Sequence, residues 1–224
     1  MVRQNGSGQE AEISYRAAGK QDLPAIGRIY LRAFPGSIQE LRSPNLQPQA
    51  VADLLAAVQD ADPEAITVAQ TAAGDLIGYI AAPTNICQVS RAALRPRRAP
   101  VLLWRLLTGR YRLSGRGLLT LILDRVHLRR SEPKADCSAR VLSLAVDPQW
   151  QRRQVGRGLM QAALRRFRAR GIDRVRLEVR PGNIAARRLY ASLGFVVVGE
   201  SRDSRGPWLV MTASTAGESR DDAA

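Results

Sequence analysis

The chain has 224 residues, of which 45% are hydrophobic, enough for one well-buried domain and short for two. Its formal charge of +14 comes almost wholly from arginine, since Lys20 and Lys134 are the only lysines. Such a charge attracts polyanions of every kind, but arginine-rich base composition explains it equally, so charge alone selects no function. No apolar run reaches the roughly 18 residues of a membrane span, and the polar start MVRQNGSGQEAE lacks the apolar core of a secretory leader. A soluble, cytoplasmic protein is expected. Cys87 and Cys137 show no CxxC spacing, so two ordinary thiols are expected rather than a disulfide framework or zinc site. His127 sits beside Leu128, Arg129 and Arg130 with no ligand-spaced partner, so it reads as a helix-face residue and no metal is expected.

Residues 1–11 read as a flexible tail, 12–214 as a single domain, and 215–224 as a disordered tail. Residues 13–17 alternate as a first strand. Residues 21–33 then carry Leu23, Ile26, Ile29, Tyr30 and Ala33 at helical spacing, with Asp22 before Leu23-Pro24 as the start. A second helix is predicted over 48–58, with Val51, Leu54, Leu55 and Val58 on one face. Residues 65–70 and 76–82, parted by Ala73-Gly74-Asp75, read as a hairpin.

Residues 88–136 interrupt this pattern with a basic insertion. Two short helices are predicted there, near 99–107 and 118–128, broken at Thr108-Gly109 and Ser114-Gly115. Their nearly continuous apolar residues suit burial against the domain ahead of a membrane-surface role. From Arg140 alternation returns, with Val141, Leu142, Leu144 and Val146 in one strand that ends at Asp147-Pro148. A helix from Gly156 to about Arg170 follows, stopped by Gly171. Next come a strand over 175–179, a helix from Asn183 to about Leu193 capped by Gly194, and strands over 195–199 and 208–212. The fold class is α/β (α+β).

The most informative stretch is Arg153-Gln154-Val155-Gly156-Arg157-Gly158, set between a strand and a long helix. Glycines at 156 and 158 remove side chains where backbone must approach a ligand. The helix amino terminus offers unpaired N–H groups and partial positive charge. Such a place binds a pyrophosphate, and Arg152, Arg153 and Arg157 add charge. Taken alone, the spacing also fits an ordinary strand–helix turn.

Further along, Glu178-Val179-Arg180 ends a strand, and Asn183, Ala186, Leu189, Tyr190, Gly194 and Phe195 follow in order. The whole set resembles the GNAT superfamily of acyl-CoA N-acyltransferases, with its R/Q-x-x-G-x-G/A and N-x-x-A-x-x-L-Y-x-x-x-G-F signatures. LAVDPQWQRRQVGRG and RLEVRPGNIAARRLYASLGF are most similar to the ribosomal-protein alanine N-acetyltransferases, over about 60 of the 224 residues. The resemblance implies a mixed, mostly antiparallel central sheet flanked by helices, and acetyl-CoA as donor.

It also implies site residues. Backbone groups of Leu144, Ala145 and Val146 flank the pantetheine arm, and Arg152, Arg153, Gln154, Val155, Gly156, Arg157 and Gly158 form the pyrophosphate loop. Asn183 contacts the cofactor. Gln154 departs from the glycine common there in those enzymes.

An acceptor amine is mostly protonated near neutrality, with reference values of about 10.4 for lysine and about 8 for an α-amino group. By resemblance Glu178 is the base, directly or through water; the competing reading is a structural ion pair with Arg176 or Arg180. Tyr190 is the matched proton donor to the leaving thiolate, against a role in core packing alone. A backbone N–H near Ala145 and Val146 would meet the developing oxyanion.

The acceptor is expected to be a small molecule, acidic or phosphorylated, met by arginines of the 88–136 insertion, with a peptide amino terminus as the competing choice. A reading from another class makes the chain a basic nucleic-acid- or membrane-surface-binding module with a vestigial or regulatory acyl-CoA site. No nucleic-acid motif supports it, so no specific nucleic acid is expected, while peripheral membrane contact stays open.

Overall fold

The computed structural model describes residues 12–36, 45–93, 100, 101, 104, 105, 108–112, 139–203 and 206–215. In chain order these form β1 (Ile13–Ala17), α1 (Leu23–Ala33), α2 (Pro48–Ala61), β2 (Ile66–Thr71), β3 (Leu76–Ala81) and α3 (Ile86–Ala93). Then follow β4 (Ala139–Val141), β5 (Ser143–Val146), α4 (Val155–Ala169), β6 (Arg174–Val179), α5 (Ile184–Ala191), β7 (Val196–Asp203) and β8 (Gly206–Ser214).

Two four-stranded sheets result, ordered β1-β2-β3-β5 and β4-β6-β8-β7. All pairings are antiparallel except β4 with β6. The expected mixed, mostly antiparallel sheet flanked by helices is therefore observed.

Two apolar cores cover the two faces. On one, α1 and α2 set Ile26, Ile29, Val51 and Leu55 against Ile66, Val68, Tyr79 and Ala145. On the other, α4 lays Val155, Leu159, Met160, Ala163 and Phe167 over Ile77, Ile80, Val175 and Leu177, joined by Tyr190 and Phe195 from the α5 region. The helical spacing of those α4 residues leaves one polar face, and full burial of Phe167 alone is worth about 2–3 kcal/mol. Gly171, at φ +66°, ends α4, and Ile172 N–H returns to Phe167 O at 3.0 Å.

An ion network ties α4 back across the sheet. Asp62 accepts from Arg166 at 3.3 Å and Arg170 at 3.1 Å, and its carboxylate also receives Thr84 N–H at 3.1 Å.

Several expectations need correction. The single strand predicted across 140–146 is two strands parted at Leu142. Thr215, expected to begin the terminal tail, is buried, with its N–H on Asp173 O at 2.9 Å and its carbonyl on Arg168 at 2.7 Å. Cys87 is disulfide-bonded rather than a free thiol; Cys137 lies outside the described residues.

Within the insertion, residues 100, 101, 104 and 105 are helical, as predicted near 99–107. The helix predicted near 118–128, His127 and the 1–11 tail lie outside the described residues. Among the described residues, no helix is long and apolar enough to cross a membrane.

Candidate active site

The division at Leu142 creates the site. β4 pairs with β6 through Ala139↔Val175, Arg140↔Arg176 and Val141↔Leu177, whereas β5 pairs with β3 from Ala81↔Ser143 to Gly78↔Val146. Ala139 and Val141 face the α4 core, and so do Leu144 and Val146, while Ala145 faces α1 and α2. That switch from odd to even positions takes one extra residue, as in a β-bulge, and Leu142, 39% exposed, is that residue.

Past Leu177 the pairing of β6 with β4 ends, β5 pairs with β3 and not with β6, and a gap opens between Leu144–Val146 and Glu178–Val179. Asp147 N–H donates to Ile77 O at 2.8 Å. Antiparallel alternation then turns Ser143 and Ala145 toward β3, and the peptide groups of Leu144 and Val146 toward the gap. Gln151 Nε2 donates to Val146 O at 3.2 Å, leaving its N–H as the donor there. Asp147 also bonds Gln149 N–H at 3.2 Å and Arg32 of α1 at 2.8 Å, which pins the end of β5.

The predicted phosphate loop meets this gap. Arg152 (φ 63°) and Gln154 (φ 61°) adopt left-handed backbone, a conformation that glycine takes without the Cβ penalty these side chains carry. α4 starts at Val155, one residue before the predicted Gly156, and Gly158 N–H makes a helical bond to Gln154 O at 3.0 Å. The N–H groups of Val155, Gly156 and Arg157 precede that bond and point out of the helix end.

The two glycines have different duties. A Cβ at Gly156 would make ordinary contacts with Leu189 at 3.6 Å, Val146 at 3.7 Å and Leu144 at 4.0 Å, so the protein itself does not require glycine there. A Cβ at Gly158 would lie 2.1 Å from the Tyr15 hydroxyl oxygen, so glycine there is required by the close approach of β1. Arg157 spans from Gln154 Oε1 at 3.2 Å to Ser192 Oγ at 2.6 Å, while Arg153 lies over Trp150 at 5.0 Å. Arg152 and Arg153 are exposed at the helix mouth.

α5 brings the second motif beside the first. Asn183 caps it, its side-chain oxygen accepting Ala186 N–H at 3.2 Å. The L-Y-x-x-x-G-F run is a helix stop: Gly194 turns left-handed at φ +84°, Phe195 N–H returns to Tyr190 O at 3.1 Å, and the two rings meet at 5.8 Å. This clasp fixes Tyr190, which is only 8% exposed. Burial pushes its phenol up to about 12, so it stays protonated near neutrality. Its hydroxyl bonds to none of the described residues.

Glu178 stands on β6, with its register partner Val210 on β8. Its Oε1 accepts from Arg176 at 2.9 Å, so the ion pair expected as the competing reading is present. Its Oε2 accepts from none of the described residues. Arg180 instead donates to both oxygens of Asp203, at 3.0 and 2.9 Å, and lies 3.9 Å from the Trp208 ring. Sequence reasoning missed Asp203 and Trp208, which the β7–β8 pairing brings to β6.

The sequence profile of the acetyltransferase (GNAT) family matches residues 23–195. The chain belongs to this family. Over 57 residues, 25% of this chain and 38% of the relative, it is 44% identical to the ribosomal protein bS18-alanine N-acetyltransferase of Escherichia coli (strain K12). Over 55 residues, 25% of this chain and 18% of the relative, it is 51% identical to a mycothiol acetyltransferase of Beutenbergia cavernae. These matches span well under half of each curated relative. The solved structure of SsHAT superposes with a TM-score of 0.68 at 25% identity, covering 92% of this chain and 100% of that one.

Proposed function

We propose that this chain is an N-acetyltransferase that moves the acetyl group of acetyl-CoA directly onto a primary amine. The observation that carries this reading is the gap between β5 and β6 opening beside the amino end of α4, in a chain of this family. The outward N–H groups of Val155, Gly156 and Arg157, with Arg152 and Arg153 alongside, suit a pyrophosphate. Leu144 and Val146 offer peptide groups to the pantetheine arm, with Ala145 between them. Asn183 spends its side-chain oxygen on Ala186, so its NH₂ is the group that turns to the cofactor.

In the reaction, Glu178 Oε2 takes the proton from the acceptor ammonium while Arg176 holds Oε1. Val146 N–H faces the oxygen on which charge develops. Tyr190, kept protonated by burial, donates to the departing thiolate.

The insertion supplies the acceptor wall in this reading. Its described part is fastened to α2 at Asp53, which accepts from Arg105 at 2.5 Å and Tyr111 at 2.6 Å. Its arginines favour an acidic or phosphorylated acceptor, with a peptide amino terminus as the competitor. A screen of both classes for thiol release, run on the full chain and on a deletion of residues 89–135, tests it. Thiol release that requires an amine and is lost on deletion, with acetyl-CoA still raising the melting temperature, is the expected result. A deletion with full activity would overturn the wall, and an absence of acetyl-CoA binding would overturn the enzyme.

A further inference from the structure

Glu178 has an arginine two residues away on each side, and the fold treats the two differently. Trp208 lies two residues from Val210, the register partner of Glu178, so Trp208 and Glu178 share a face of the sheet. Arg180 stacks on Trp208 with its Cζ 3.9 Å from the ring centroid, which puts its guanidinium on that same face. Arg176 bridges the two-residue step to Glu178 at 2.9 Å, so an arginine at 180 has the reach to do the same from the other side.

It does not, because Arg180 is held elsewhere. Asp203, whose side chain is 3% exposed, grips it with both oxygens. Trp208 Nε1 donates to Asp203 Oδ2 at 2.8 Å, and Arg180 Nη1 donates to Pro207 O at 3.2 Å. Nη2 shared between both oxygens of a nearly buried carboxylate, Nη1 on Pro207 O and the guanidinium stacked on indole together restrain this arginine from three sides.

We propose that Asp203 and Trp208 are positioning residues that sequester Arg180, so that Glu178 keeps one carboxylate oxygen open to the acceptor amine. This rests on the reading of Glu178 as the base. Without the clamp, Arg180 turns to Glu178 Oε2, and the carboxylate is occupied at both oxygens. Turnover falls while acetyl-CoA binding, which lies across the gap at α4, is untouched.

The test compares Asp203→Asn with Asp203→Asn/Arg180→Met. The probe acceptor is a hexapeptide beginning with alanine, or whichever small amine in a parallel panel releases thiol faster with the wild type. Asp203→Asn should lower kcat about tenfold with unchanged acetyl-CoA affinity, and the double variant should return to within about twofold of wild type. A crystal structure of Asp203→Asn should show Arg180 within about 3 Å of Glu178 Oε2, a result that needs no acceptor.

A double variant as slow as the single one, or Arg180 left in place, overturns the proposal by reducing Asp203 to a hairpin strut. Should Asp203→Asn not fold, Trp208→Phe, which keeps the ring but drops the bond to Asp203, should lower kcat about threefold, and unchanged kcat overturns the proposal. Glu178→Gln separates the two levels: wild-type turnover there would remove the base itself. Collapse of turnover in Glu178→Gln, together with no rescue of Asp203→Asn by Arg180→Met, would remove only the clamp.

Discussion

Gly158 of α4 and Tyr15 of β1 touch so closely that a Cβ at position 158 would stand 2.1 Å from the tyrosine hydroxyl oxygen. This contact seats the helix that carries the phosphate loop. Gly158→Ala should therefore destabilise the protein by about 1–3 kcal/mol through overpacking, and Tyr15→Ala in the same chain should recover part of that loss. Gly156→Ala, two residues away, where a Cβ makes ordinary contacts at 3.6–4.0 Å, should leave stability unchanged or raise it by about 0.5 kcal/mol. Urea denaturation of the four chains checks both statements.

Gln154 carries a left-handed φ of 61° without being glycine. Gln154→Gly should remove about 1 kcal/mol of backbone strain, partly offset by loss of its bond to Arg157 Nε. A higher denaturation midpoint with unchanged slope is the expected outcome.

Tyr190→Phe should lower turnover by about 10²-fold and leave acetyl-CoA affinity intact. Because burial pushes the phenol up to about 12, the wild-type rate profile should show no loss from tyrosine ionisation below about pH 10. Stability should hardly change, as the hydroxyl bonds to none of the described residues. Steady-state rates across pH, with calorimetric titration of acetyl-CoA, provide the check.

Asp62 sets an acid limit on the fold. Burial alone would push its carboxyl up, but Thr84 N–H and the charges of Arg166 and Arg170 outweigh this and hold it below the usual range. On Arg166 burial wins, and its own value is pushed down. A carboxyl lowered in the folded state gives its full stabilisation above its unfolded value of about 3.9, and loses it as pH falls through the lower folded value. Asp62→Asn should cost about 3 kcal/mol at neutral pH and flatten the stability profile below about pH 4. Melting temperatures of both chains from pH 2 to 7 would show it.

Much of the fold is legible in the sequence. Hydrophobic period and turn residues located α1, α2, the β2–β3 hairpin, α4, β6 and α5, and the motif residues on α4 and α5 do gather at one gap. The division at Leu142 was hidden because the extra residue is itself apolar, so 140–146 still reads as one alternating strand. The contact of Gly158 with Tyr15 is not legible in the sequence, because it forms between α4 and β1, far apart along the chain. Glu178 had two equivalent arginines by sequence; which one it keeps depends on Asp203, 25 positions away along the chain and brought to Arg180 only by strand pairing.

The amino end of α4, beside the β5–β6 gap, is where we propose that acetyl-CoA is held. Calorimetric titration of acetyl-CoA into wild type and Gly156→Val tests it most directly. Saturable one-to-one binding by the wild type, weakened at least about tenfold in Gly156→Val with the far-ultraviolet spectrum of the folded chain retained, is the predicted result. Equal affinity in both chains, or no binding by the wild type, would contradict it.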